Sequence, residues 1–216
     1  MKKFLMSAFT VAVMAGFATN ASAQEGFNVS VKGVPQFTFL QNSDDSDNGA
    51  ISKKTTFNTK FGIGAGYNFT ENMGIGVDAM YSFQGQKYEI QGVKAEQNLE
   101  YVKIPVYFSY TTDPSQLVSF YGKIGPQLSL LTNAEFEHKG EPTIENKDAY
   151  KNAIFGGMAD VGVQFKLQPK LYLSTGINFD YDFTNAENKD YVGYPSGRSN
   201  TNNMTVGLQV GLKYQI

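Results

Sequence analysis

Past residue 26 the chain alternates apolar and polar side chains with a period of two, the mark of strands that carry one apolar face. Leu171, Leu173, Ile177, Phe179, Tyr181 and Phe183 share one face, with Thr175 its only polar member, against Tyr172, Ser174, Gly176, Asn178, Asp180 and Asp182 on the other. Met204, Val206, Leu208, Val210, Leu212, Tyr214 and Ile216 repeat the design against Thr205, Gly207, Gln209, Gly211, Lys213 and Gln215. Six further segments follow it, at 27–40, 57–69, 73–84, 99–110, 118–131 and 153–167. Connections 70–72, 111–116 and 168–170 are tight and rich in turn formers, while 41–56, 85–98, 132–152 and 184–203 are long and polar. Short turns alternating with long loops predict an all-β fold: an eight-stranded antiparallel up-and-down transmembrane β-barrel with short periplasmic turns and long external loops.

Alternation alone also fits a soluble barrel with an apolar cavity, so the two faces have to be told apart. The polar faces are poor in charge and rich in small residues, with Gly62, Gly64 and Gly66 on one strand and Gly74 and Gly76 on the next. A face washed by water normally carries dense Lys and Glu; a crowded lumen favours small groups. The apolar faces are layered. Phe27, Tyr67, Phe69, Phe108, Tyr110, Phe120, Phe165 and Tyr214 fall near the short turns, and Phe37, Phe39, Phe57, Phe83, Phe155, Tyr181 and Phe183 near the long loops. Aliphatic residues such as Val31, Ile63, Val77, Val106, Val161 and Leu208 lie between. Two aromatic girdles around an aliphatic band match the two interfaces of a bilayer, so the apolar face is expected to meet lipid.

The N-terminus changes where the mature chain is expected to begin. Met1, Lys2 and Lys3 precede an apolar run from residue 4 to 17, and Ala21-Ser22-Ala23 supplies a signal-peptidase site. Residues 1–23 therefore read as a signal peptide and 24–216 as one barrel domain. That places the protein in the outer membrane of a Gram-negative bacterium, in contact with outer-membrane lipid and lipopolysaccharide and inserted by the barrel-assembly machinery. No later segment is apolar for the roughly 20 residues that a spanning helix requires. Without Lys2 and Lys3 the basic residues fall from 18 to 16 against 20 acidic, a charge of −4 that gives no support for nucleic-acid binding. The absence of cysteine excludes disulfides and thiolate metal sites.

Candidate chemistry is confined to the polar face. Lys32, Lys60, Asp78, Lys103, Lys123, Asp160, Asp180, Asp182 and Lys213 point inward, with Lys60, Asp78, Lys103, Lys123, Asp160 and Asp180 at similar height. Buried charges of both signs should pair, and Lys123 with Asp160, on neighbouring strands, is the expected pair in a structural charge network. The single histidine, His138, stands in Glu135-Phe136-Glu137-His138-Lys139 with no nucleophile motif beside it. Asp44-Asp45-Ser46-Asp47-Asn48-Gly49 faintly resembles a calcium loop, but its twelfth position is Thr55 where a bidentate Glu is needed, so it reads as a solvated acidic loop. No catalytic, metal or cofactor-binding residue is expected.

Leu99-Glu100-Tyr101-Val102-Lys103-Ile104-Pro105-Val106 and Tyr121-Gly122-Lys123-Ile124-Gly125-Pro126-Gln127 resemble the Ile-Pro and Gly-Pro strands of a Bacteroidota outer-membrane β-barrel family, the PorT-like or porin-family proteins. The resemblance implies an eight-stranded barrel akin to small OmpA- and OmpX-like barrels, and no catalysis. The expectation is a non-enzymatic barrel with a structural or surface-interaction role through its long loops, open to a surface or secretion-complex partner. A narrow porin-like diffusion channel is the alternative, and a barrel enzyme acting on lipid or peptide comes third.

Overall fold

In a computed structural model, which describes residues 25–47, 51–90, 93–138 and 140–216, the alternating segments become ten strands. They are β1 (Gly26–Gln41), β2 (Ile51–Lys54), β3 (Thr56–Asn68), β4 (Met73–Ile90), β5 (Val93–Thr111), β6 (Val118–His138), β7 (Ile144–Glu145), β8 (Ala153–Gln168), β9 (Leu171–Asp182) and β10 (Asn202–Gln215). Eight of them close antiparallel in the order β1-β3-β4-β5-β6-β8-β9-β10, and β10 returns to β1. Closure leaves the barrel wall without a free edge, so every backbone N–H and C=O in the wall can pair between strands. The two short strands are additions: β2 continues β3 alongside β4, and β7 lies on β6. The expected cleavage site lies outside the described residues.

The faces divide inside out relative to a water-soluble protein. Val31, Phe57, Ile63, Ile75, Val106, Phe120, Ile124 and Val161 are exposed on the outer surface, whereas Gln36, Thr38, Ser82, Gln127, Ser129 and Thr205 are buried within. Aromatic rings meet at both levels, between neighbouring strands or, for Tyr81 and Phe83, along one strand. Phe27 and Tyr67 stand 4.9 Å apart, centroid to centroid, near the short turns; Phe37–Phe57 (5.4 Å) and Tyr81–Phe83 (5.2 Å) do so near the long loops.

The external side departs from expectation. Residues 85–90 and 93–98 are strand where a loop is expected: β4 runs to Ile90, β5 starts at Val93, and the two pair through Glu89↔Lys94 and Ile90↔Val93. Strand β6 likewise continues to His138, opposite Ala95. Crossing the hydrocarbon takes about 9–11 residues of tilted strand, so β5 with 19 and β6 with 21 residues project well beyond it. A bulge at Thr132, between the pairs Tyr101↔Leu131 and Glu100↔Asn133, switches the phase of β6. Both Leu131 and Ala134 thereby face inward.

Candidate functional site in the lumen and external cap

Each inward lysine and aspartate is set by strand phase, and which of them meet is decided by the stagger of the barrel. Near the external end, the Lys60 ammonium donates to Asp180 at 2.5 Å and to the side-chain Oδ1 of Asn178 at 2.7 Å. Lys103 reaches the same Asp180 oxygen at 3.3 Å and approaches Asp182 at 3.9 Å. These four charged groups are almost wholly buried and balance one another. Closer to the periplasm, Lys32 donates to Asp78 at 2.5 Å, while the Tyr107 hydroxyl donates to the other Asp78 oxygen at 3.0 Å. Lys60 and Asp78, expected at one height, belong to separate clusters.

The expected Lys123–Asp160 pair does not form. The two residues are register partners across β6 and β8, yet Asp160 accepts from the Tyr121 hydroxyl at 2.9 Å. Lys123 instead places its ammonium over two rings, 5.3 Å from the centroid of Tyr107 and 5.1 Å from that of Tyr121. Lys213 does the same over Tyr172 at 5.0 Å. A lysine stem is long enough to bypass the nearest carboxylate for an aromatic face. The inward tyrosines Tyr107 and Tyr121 are partners of the lumen charges that a charge-based reading misses; their phase with Lys103 and Lys123 is the signal that could find them.

Above the external charge cluster the lumen turns apolar. Leu40, Leu99, Tyr101, Leu131, Ala134, Ile154 and Ala186 form one buried cluster, with Tyr150 packed on it. Burial pushes the Tyr150 hydroxyl far above its ordinary range, holding it neutral. A cap formed by the segment between β9 and β10 lies over this layer. Arg198 clamps two carboxylates at once: Nε and Nη2 donate to Glu187 at 2.9 and 3.1 Å, and Nη1 and Nη2 donate to Asp45 at 2.8 and 3.1 Å. Hydrogen bonds from Arg198 to Glu187 and Asp45 raise the guanidinium pKa further, so it stays charged.

Asp44, in the short helix α1 (Ser43–Asp47), accepts from the Ser199 backbone N–H at 2.8 Å and its hydroxyl at 2.7 Å. The Ser199 backbone and side chain together lower the Asp44 pKa. Asn42 donates to Thr201 Oγ1 and to the Ser199 carbonyl, both at 2.9 Å. Asp44 and Asp45 thus act as a clasp between the first and last external connections, where the sequence suggests a solvated loop. Residues 48 and 49 of it lie outside the described residues. His138, at the end of β6, stands 3.5 Å from Glu141 at the external surface. Among the described residues no group of three or more His, Asp or Glu is arranged to hold a metal ion.

What this arrangement can do is limited by its filling. Polar and ionic contacts cross the lumen at two levels, and an apolar layer and a clasped cap close the outer mouth, leaving a polar vestibule open at the end carrying the short turns. Comparison with known proteins bears on the same architecture. Residues 7–214 match the model of the outer membrane protein β-barrel domain. No curated protein matches the sequence. Among solved structures, Neisserial surface protein A is similar at a TM-score of 0.51 and 17% identity, covering 92% of this chain and 100% of that one. A major outer membrane protein of Thermus thermophilus is similar at a TM-score of 0.52 and 12% identity, with 87% and 98% covered. At these identities the likeness is one of fold.

Proposed function

Because the chain belongs to the outer membrane protein β-barrel family, whose seat is the outer membrane of Gram-negative bacteria, we propose that it serves as a plugged barrel that presents its external cap to a surface partner, without catalysis. The observation that carries this reading is the order of the external half. Arg198, Asp45 and Glu187 hold the cap as one piece over the apolar layer. The β4–β5 and β5–β6 pairings carry a stiff hairpin outward beside it. A conduit would need water-filled space along its axis, whereas an eight-strand barrel has an interior that its own side chains can fill. The proposal includes export with cleavage after Ala23, insertion by the assembly machinery, and lipopolysaccharide packed on the outer aromatic girdle. Planar-bilayer recording of the purified barrel tests the plug: we expect no resolved current steps, and reproducible single-channel conductance would overturn it in favour of a diffusion channel.

A further inference from the structure

The lumen is not symmetric in charge along its length. The external cluster pairs two lysines, Lys60 and Lys103, with two aspartates, Asp180 and Asp182. The periplasmic half holds three lysines, Lys32, Lys123 and Lys213, against two aspartates, Asp78 and Asp160, an excess of one positive charge. Among the described residues, only Lys32 of these three pairs with a carboxylate.

All three lysines line one vestibule that opens between the short turns, together with Tyr107, Tyr121 and Tyr172. Rings hold the two unpaired ammonium groups: Tyr107 and Tyr121 beneath Lys123, Tyr172 beneath Lys213. Neutral donors stand among them, including the amides of Gln164 and Gln215, and Glu71 lies on the exposed turn at the rim. The vestibule's cavity volume is about 40 Å³. At roughly 10–15 Å³ for each water, that is room for about three waters or one tetrahedral oxyanion.

We propose that this vestibule is a binding site for a small oxyanion, a phosphate group in size and charge, entering from the periplasmic side. Lys123 and Lys213 provide the counter-charge, and Lys32 lends a third positive group while it remains tied to Asp78. The confinement restricts the ligand to a single phosphoryl-sized head, and the excess of one charge suits a monoanion. Free inorganic phosphate and the headgroup of an inner-leaflet phospholipid both present that chemistry. This role is additional to the one proposed for the external cap and uses none of the cap's residues.

The test is titration of the folded full-length barrel, in alkyl maltoside micelles that contain no phosphate, with inorganic phosphate at constant ionic strength set by chloride. Amide NMR shifts are the readout. The expected result is a saturable response centred on Lys123, Tyr172 and Lys213. It should weaken at least tenfold in Lys123→Gln/Lys213→Gln and stay unchanged in Lys94→Gln on the external hairpin. A response that never saturates, or that the double variant leaves intact, overturns the proposal. If the double variant loses its heat-modifiable mobility, the map of shifts in the unaltered barrel decides alone: shifts scattered outside the vestibule refute the site. Repeating the titration in phosphatidylglycerol nanodiscs separates the sources. Vestibule signals already at their bound positions identify the headgroup, and an unchanged titration identifies the free ion.

Discussion

Tyr107 lies where a β-carbon on Gly76 would stand, with its ring atoms 2.6–2.7 Å from that position. The same tyrosine donates to Asp78 and receives a hydrogen bond from Lys32 at 3.3 Å. Gly76→Ala must therefore displace the ring and loosen the Lys32–Asp78 cluster. Overpacking of this kind costs about 1–3 kcal/mol, which a lowered urea midpoint in detergent would report. Gly122→Ala meets nothing within 4 Å and should change that midpoint little.

Asp180→Ala strips a partner from two buried ammonium groups, so its loss belongs in the range of about 3–5 kcal/mol known for broken buried pairs. Asp160→Ala removes the Tyr121 bond and should cost less; the reverse order in thermal unfolding would mean that Lys123 depends on Asp160 after all. The inward phase of all nine charged residues was legible in the sequence, because alternation fixes the face. Which lysine meets which aspartate was not, because that depends on strand stagger and on where a flexible stem turns.

At the scale of elements, the external half is where reading and structure part. Residues 85–98 carry Gln86, Lys87, Glu89, Lys94 and Glu96; above the bilayer neither face of a hairpin needs to be apolar, so the period-two signal fades while the strands continue. The buried cluster of Leu99, Leu131 and Ile154 escaped notice for the opposite reason, since apolar residues in inward phase look like the end of a strand. The eight membrane-crossing strands and their short turns were plain, because lipid on one side imposes an unbroken pattern. The clasp between α1 and the β9–β10 connection gives a local test. Arg198→Ala leaves Asp45 and Glu187 without their shared cation, so residues 184–201 should become open to added protease on intact cells. The barrel itself should still show its heat-modifiable mobility; a cap that stays resistant would show that the Asn42 and Asp44 contacts suffice without the arginine.

At the scale of the whole molecule, plug, cap and vestibule form a sequence along one axis: closed and stiff outside, ionic in the middle, open and positively charged toward the periplasm. The outer wall contributes the same aromatic-aliphatic-aromatic layering around that axis, and this fixes its height in the bilayer. The seam between β1 and β10 has a kinetic meaning beyond its hydrogen bonds. It joins Asn28 to Gln215 and Gln41 to Asn202, the widest sequence separations in the sheet, so its loop-closure entropy falls on a single late event. Until then the growing sheet has two open edges, each a template for mispairing with another nascent chain. The time that these edges spend unguarded, more than the strength of any one contact, should set how much of this protein reaches its native state.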